Sequence, residues 1–582
     1  MDQTASQSAR TTTAIRLGVG LLQGLALFLL HHAENVKAWP ATQPLVFAPL
    51  VLVALAVPFV ILAGIGALRR SSLIVWALGA AAFAAYLAFH GVWRDTTPDK
   101  MPDFPVFLAI AGGLFIAHHL IQPAEAERRW VVSYPAYFDI TWMHGVQLGL
   151  SAAFTGVFWI LLHLGASLFK LIGIDAIQKL ISEEAFAFPA TTVMFAAAVQ
   201  LTDVRSTLVR GVRTVALTLL AWLLPLMTLI AAGFLASLPF TGLEPLWKTR
   251  AATALLLTAA AHLIVLINAA YQCGTKPPPT VLKWSARIAG VLLIPIALLA
   301  AYGLALRIGQ HGLTPERVFA AALVFVATGH AAGYAMAAFR RDAWMKTLER
   351  TNVVMAVISL ALLTALFTPI ADPARLSVND QADRLARGKV KPAEFDYAFL
   401  RFEGGRHGRA VLTRLKADKN PEIAKGAGEA LTWAVRPPLD ARPRFTRTTV
   451  YPTGRVLPES LVKQDWLPSE GDSVCIYPGT TCSALLLDVD GDGNEEVLFA
   501  NGGTLDVIKQ FPKDSWKKIG SASARCSGTD LDQALKSGTA RMADPVPRQD
   551  ILIGDLRLAF TPFASGCAVE APSMVPNIAP GR

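Results

Sequence analysis

The chain has 582 residues, 53% hydrophobic and only 16% charged, with a mean hydropathy of +0.43 and a formal charge of +10. Soluble globular chains carry about 25% charged residues, so this composition excludes a wholly soluble enzyme, a disordered chain and a fibrous one. Residues 1–370 hold 25 of the 53 Lys and Arg and 16 of the 43 Asp and Glu, so the shorter remainder is the more highly charged part.

A helix needs roughly 20 apolar residues to cross a hydrocarbon core of about 30 Å. Eleven stretches qualify: about 14–31, 45–67, 72–92, 104–121, 143–171, 189–201, 214–238, 251–270, 284–306, 316–339 and 351–370. The first lacks the short apolar core and small-residue cleavage site of a signal peptide, and more spans follow it. The sixth is short and extends to about Phe186. The expected fold is therefore an all-α polytopic membrane bundle over residues 1–370, followed by a soluble α+β C-terminal domain.

Lys and Arg near span ends stay on the cytoplasmic side. With the N-terminus inside, the inner segments hold 16 of the 25 basic residues, among them Arg69, Arg70, Arg128, Arg129, Arg205, Arg210 and Arg213. Eleven spans then place the C-terminus outside. Cysteine usage agrees. Cys273 falls in an inner segment, whereas Cys475, Cys482, Cys526 and Cys567 all fall in the outer tail, where disulfides form. Four cysteines allow three connectivities, and short loops favour Cys475–Cys482 with Cys526–Cys567.

Pro49, Pro58, Pro225 and Pro295 interrupt spans, as tolerated kinks or as the broken helices of transporters. Ten of the eleven histidines lie in the membrane part, with His163 and His262 deepest. No pair has the i, i+3 or i, i+4 spacing of a metal site on one helix face. Acidic residues are absent from the span centres, which weakens a proton-coupled transporter. Residues 171–184 carry Ile174, Ile177, Leu180 and Ile181 at helical spacing with polar residues between. They fit either a short helix on the outer membrane surface or an extension of the fifth span.

Several stretches carry a family likeness. They are Tyr134-Pro-Ala-Tyr-Phe-Asp139, Leu168-Phe-Lys-Leu-Ile-Gly-Ile-Asp175, Leu201-Thr-Asp-Val-Arg205, Ile267-Asn-Ala-Ala-Tyr-Gln272, and the segment from Arg375 to Phe402. The chain resembles the bacterial multi-pass membrane proteins grouped as domain of unknown function 4153 (DUF4153), over roughly residues 1–415. The resemblance implies an inner-membrane protein of a Gram-negative bacterium. It supplies no activity and no catalytic residue.

The composition changes at Asp372-Pro373. Residues 371–435 are expected as a helical periplasmic segment, with stops at Gly388, Gly404-Gly405 and Asn420-Pro421. Phe395, Tyr397, Phe399 and Phe402 form a small aromatic core or dock on the membrane. Residues 436–582 are expected as a β-rich periplasmic domain. Its candidate strands are Val474–Tyr477, Ser483–Val489, Glu496–Ala500, Leu505–Ile508 and Ile551–Phe560.

Within that domain, residues 488–496 read Asp-Val-Asp-Gly-Asp-Gly-Asn-Glu-Glu. Hard cations such as Ca²⁺ take several oxygens at 2.3–2.6 Å on a tightly curved loop. An EF-hand needs Glu at position twelve, where Phe499 stands. The flanks look like strands, so the loop resembles the strand–loop–strand calcium loops of integrin-type propeller repeats. That pattern implies side-chain ligands from Asp488, Asp490, Asp492 and Glu496 and a carbonyl from Asn494, holding a structural Ca²⁺. An acidic hairpin turn is the other reading.

The motifs G-x-S-x-G, G-x-x-x-x-G-K-[ST], H-E-x-x-H and C-x-x-C are all absent. No basic run with interleaved aromatics points to nucleic acid. The sequence therefore favours a non-enzymatic envelope sensing or interaction protein, with the lipid bilayer and another envelope protein as partners. A transporter or lipid flippase is the alternative. A membrane glycosyltransferase ranks below both, because the first outer loop offers only Glu34 where such enzymes resemble one another in an acidic pair.

Overall fold

The computed structural model describes residues 2–558 apart from 96–100, 245, 247–250, 276, 341–343, 435, 437–444, 446–447, 465–472, 474, 476–481, 502–503, 513–514, 524–534, 536–550 and 554–555. The chain divides into two compact units, residues 1–433 and 434–582.

Eleven helices among the described residues are long and apolar enough to cross a membrane. They are α1 (Asp2–Asn35), α2 (Pro44–Gly64), α3 (Arg70–Arg94), α4 (Phe104–Glu127), α5 (Tyr134–Leu171), α7 (Glu184–Val204), α8 (Ser206–Thr241), α9 (Ala252–Tyr271), α10 (Thr280–His311), α11 (Pro315–Phe339) and α12 (Thr347–Leu366). Most overrun their apolar windows, because polar residues in a terminal turn lengthen a helix without adding hydropathy. The fifth begins at Tyr134 rather than 143, with Pro135 in its first turn, where proline's missing N–H costs nothing. The sixth begins at Glu184, two residues before Phe186. The short helix α6 (Ala176–Ser182) is separate from α5, which ends at Leu171 and is followed by Gly173 at φ +82°. It is therefore a helix of its own and not an extension of the fifth span.

Helices in lipid associate through close packing rather than through expulsion of water, so small residues gather at their contacts. Gly20 and Gly24 of α1 face α7, and a methyl group at Gly24 would run into the Pro189 backbone. Gly329 and Gly333 of α11 do the same against Met355 and Thr351 of α12. The largest buried cluster joins α5, α8, α9, α10, α11 and α12 around Leu224, Leu263, Ile267, Leu293 and Tyr334. A second, around Ala84, Leu87, Ile110 and Leu366, joins α2, α3, α4 and α12.

After α12 come four short helices, α13 (Pro373–Ala386), α14 (Tyr397–Phe402), α15 (Gly405–Leu415) and α16 (Pro421–Thr432). Asp372 caps α13 by accepting the Arg375 N–H at 3.0 Å, and Asn420 caps α16 through the Glu422 N–H. Phe395, Tyr397 and Phe399 are buried together with Val378, Leu400, Leu412 and Ala427, while Phe402 is half-buried. This segment is latched to the bundle at the end of α10, whose last carbonyls lack helical partners. Gln381 donates to the His311 and Leu313 carbonyls at 2.9 and 3.0 Å. Arg384 donates to the Gln310 and Gly309 carbonyls at 2.9 and 3.2 Å. Asp380 accepts the Leu313 N–H at 2.7 Å. Arg384 also sets a cation at the negative end of the α10 dipole.

The second unit contains a five-stranded sheet in the order β1 (Thr448–Tyr451), β2 (Cys482–Leu487), β3 (Glu496–Asn501), β4 (Thr504–Phe511), β5 (Ser515–Ser523). The first pair is parallel and the rest antiparallel. A short helix, α17 (Glu459–Lys463), lies in the β1–β2 connection. Both sheet faces are covered: Leu461, Ala484, Phe499 and Trp516 on one, Tyr451, Leu485, Leu498 and Leu535 on the other. That is why Ser483–Leu487 reads as an unbroken apolar run rather than an alternation.

The candidate strand Ser483–Val489 ends at Leu487, and Leu505–Ile508 extends to Thr504–Phe511. The two edge strands, β1 and β5, were not among the candidate strands, being rich in Thr, Ser and Lys. Ile551–Phe560 yields two short paired strands, β6 (Ile551–Ile553) and β7 (Leu556–Leu558). Val474–Tyr477 lies largely outside the described residues.

Candidate functional site

The loop between β2 and β3 is built by its own side chains. Asp488 accepts the Gly491 N–H at Oδ1 (2.7 Å) and the Gly493 N–H at Oδ2 (3.0 Å). Asp492 accepts the Asn494 N–H at 2.8 Å. Gly491 and Gly493 have φ of +75° and +85°, the left-handed region that only glycine enters freely. Glu496 is 1% exposed, and its Oε2 accepts the Val489 N–H at 2.8 Å.

Asp488, Asp490 and Glu496 bring carboxylate oxygens within 4.8 Å of one another, a group that could hold a metal ion. The other two predicted ligands stand outside this group. Asp492 turns to the Lys509 ammonium at 2.5 Å, and Asn494 donates its N–H to Asp492. Lys509 also contacts Asp490 and lies 3.5 Å from Glu496 Oε1. Hydrogen bonds to Asp490 and Asp492 push its pKa up, and the same amine holds Asp492 below the usual carboxylate range. Sequence spacing could not find Lys509, thirteen residues beyond Glu496. It arrives through the β3–β4 register, which pairs Val497 with Ile508 and so brings the next residues, Glu496 and Lys509, alongside.

Beside β2, Cys475 and Cys482 are disulfide-bonded, the pairing favoured by their short separation. This bond suggests an extracytoplasmic C-terminal region. Cys526 and Cys567 lie outside the described residues.

Residues 14–419 match the family described as "Domain of unknown function (DUF4153)". The chain belongs to that family. Neither the curated proteins nor the solved structures give a match. The acidic loop and the disulfide lie beyond the DUF4153 region, so the family likeness covers the bundle and α13–α15 only.

Inside the DUF4153 bundle a ring of four side chains ties together α5, α9, α11 and α12. Tyr134 donates to Asn268 Oδ1 at 3.1 Å, and Asn268 donates to Tyr334 Oη at 2.6 Å. Tyr334 donates to Asn352 Oδ1 at 2.6 Å. Asn352 donates to Tyr134 Oη at 2.9 Å and to Asn268 Oδ1 at 2.6 Å. The second Asn268 N–H reaches the Ile264 carbonyl at 2.8 Å. Every N–H and O–H of the four side chains is thus used. No sequence spacing points to this ring, because its members lie on four different helices.

A histidine cluster sits between α4 and α5. Trp76 donates to His118 Nδ1 at 3.1 Å, so His118 Nε2 carries the proton and donates to Gln122 at 3.0 Å. His119 Nδ1 donates to the Phe115 carbonyl at 2.7 Å, which leaves its Nε2 to accept from His144 Nδ1 at 3.0 Å. Both ring nitrogens of His118 are occupied by hydrogen bonds, and no three of these histidines form a metal-ligand group among the described residues. His163 and His262, deep along their spans, are instead exposed on the outer face of the bundle.

Cys273 follows α9 and donates its S–H to Asp139 Oδ1 at 3.3 Å. Burial, and then the Asp139 carboxylate, push the thiol up to about 12. Since the thiolate is the reactive form, alkylation of Cys273 by iodoacetamide in folded protein at pH 8 is expected to be at least about tenfold slower than that of a free cysteine, its scarcer thiolate being only partly offset by greater nucleophilicity. Rapid labelling of Cys273 before unfolding would contradict this environment.

Proposed function

We propose that this DUF4153 protein is a non-enzymatic envelope protein of the bacterial inner membrane. Its eleven-span body anchors a periplasmic C-terminal domain that senses or binds another envelope component. The loop 488–496 takes Ca²⁺ as a structural ion. What carries this reading is the convergence of Asp488, Asp490 and Glu496 on a hairpin loop between paired strands, in a region that also holds a disulfide. The positive-inside bias of the sequence supports the periplasmic side.

Lys509 supports the same reading in a second way. Its ammonium contacts Asp490, Asp492 and Glu496, so the loop is arranged to surround a cation. A divalent ion neutralises twice the charge and coordinates more oxygens, and it displaces the amine. Competition with a tethered ammonium lowers affinity, which fits the weak range of extracellular Ca²⁺ modules, about 10⁻⁴ to 10⁻³ M.

The test is thermal unfolding of the full-length protein in detergent micelles, followed by calorimetry. At a Ca²⁺ concentration about a hundredfold above Kd, the C-terminal unit gains about 2.7 kcal/mol over the chelated protein. Asp490→Ala, at an exposed position, removes most of that gain. Lys509→Met tightens Ca²⁺ binding by removing the competing amine. Equal melting with Ca²⁺ and with chelator would leave the loop an acidic turn.

A further inference from the structure

A cavity of about 410 Å³ lies within the DUF4153 bundle, walled by α4, α5, α9, α11 and α12. Its volume falls in the range of ligand sites, about 300–1,000 Å³. The cavity is partly open, and among its lining residues the exposed ones are Phe115 of α4 and Val265 of α9. Phe115 is the twelfth of 24 residues in its span and Val265 the fourteenth of 20. The opening therefore lies at the depth of the hydrocarbon, not at either water face. In a bilayer, what reaches such an opening is lipid chain.

The interior is graded. Ile116, Trp142, Val353 and Ala356 make an apolar wall. At one end stands the ring of Tyr134, Asn268 and Asn352, within two turns of the helix ends nearest Arg128 and Arg350. All donors of the ring are used, so what it has left is acceptor capacity. Among the described residues Asn352 Oδ1 accepts only the Tyr334 O–H and keeps a second lone pair. His330, also on the wall, donates from Nδ1 to the Val326 carbonyl at 2.9 Å, so its Nε2 carries a lone pair. A guest that suits both ends is an apolar chain with a polar end that donates hydrogen bonds.

We propose that this cavity is a lateral binding site for a bilayer lipid. The acyl chain enters between Phe115 and Val265, and an amine- or hydroxyl-bearing head turns toward Asn352 and His330. The site requires only that the helices span a membrane; it does not depend on the direction of insertion or on the Ca²⁺ loop.

The test uses full-length protein in phosphatidylcholine vesicles with a trace of phosphatidylethanolamine bearing a diazirine on its acyl chain. After photolysis, mass spectrometry maps the labelled residues. Labelling is expected to concentrate on Phe138–Trp142 and Val353–Ser359 and to saturate under competition by unlabelled phosphatidylethanolamine. It should fall severalfold in Ala356→Trp and in Ser359→Phe. The same diazirine on phosphatidylcholine, whose head has no N–H, should label the cavity several times less. Even labelling along outward-facing surfaces such as Leu161–Leu164, unsaturable and unchanged in both variants, would mean annular lipid only and overturn the site. Equal labelling by the two head groups would overturn the head assignment. Saturation in wild-type protein decides between bound and annular lipid even if both variants misfold.

Discussion

Replacing Asn352 by Leu is expected to destabilise the membrane bundle by about 3–5 kcal/mol. Asn352 makes three of the bonds that close the ring, at 2.6, 2.9 and 2.6 Å. Hydrogen bonds between helices in a membrane average about 0.6 kcal/mol and reach about 1.7, so three give roughly 2. The Tyr334 hydroxyl, on a residue with 0% exposure, then loses its acceptor, and an orphaned buried donor adds about 1–3 kcal/mol. Tyr334→Phe removes that hydroxyl but leaves one Asn268 N–H without its acceptor, while the three bonds among Tyr134, Asn268 and Asn352 remain, so it should cost less, about 1–3 kcal/mol. Denaturant titration of full-length protein in micelles measures both. Wild-type stability in Asn352→Leu would show that the ring does not hold the four helices together.

The second large effect is an asymmetry. Arg16 of α1 is 3% exposed and donates to Gln200 Oε1 at 2.6 Å and to the Ile65 carbonyl at 3.0 Å. It also pairs with Asp203 at 2.8 Å, whose side chain is 55% exposed. The two partners are therefore unequal. Asp203→Ala leaves a buried guanidinium without its counter-charge, but Arg16 keeps Gln200 and the Ile65 carbonyl and the lost carboxylate was half-solvated, so the cost is about 1–3 kcal/mol, below that of a fully buried pair. Arg16→Met leaves a carboxylate that water can solvate, and its aliphatic chain keeps part of the packing, so it should cost clearly less. The double variant should recover most of the Asp203→Ala loss. A double-mutant cycle on unfolding free energies decides it. Equal single costs that simply add would contradict a buried, coupled pair.

Most of the architecture was legible because bilayer thickness imposes length. An apolar run of some twenty residues has few alternatives to a spanning helix, so all eleven spans could be read. Their ends could not, since Tyr134 or Ser206 can extend a helix without raising its hydropathy. The acidic loop was visible for a local reason: its alternate Asp residues and its glycines lie within nine positions, and both paired strands border it. Lys509, the Asn268–Asn352 ring and the His119–His144 contact were not visible. Each joins residues from different elements, and only strand register or helix packing brings them together. The edge strands β1 and β5 were missed because edge positions tolerate the polar residues that a periodicity search discards.

Disulfide pairing and millimolar Ca²⁺ both require the outer compartment, so the function proposed for the C-terminal domain depends above all on its side of the membrane. A reporter enzyme that is active only outside the cytoplasm, fused after Leu366 at the end of the eleventh span, measures this directly. The proposed orientation predicts full activity there, against silence for the same reporter fused at Arg341 between the tenth and eleventh spans. A silent fusion at Leu366 with an active one at Arg341 would invert the protein and contradict a periplasmic, Ca²⁺-binding C-terminal domain.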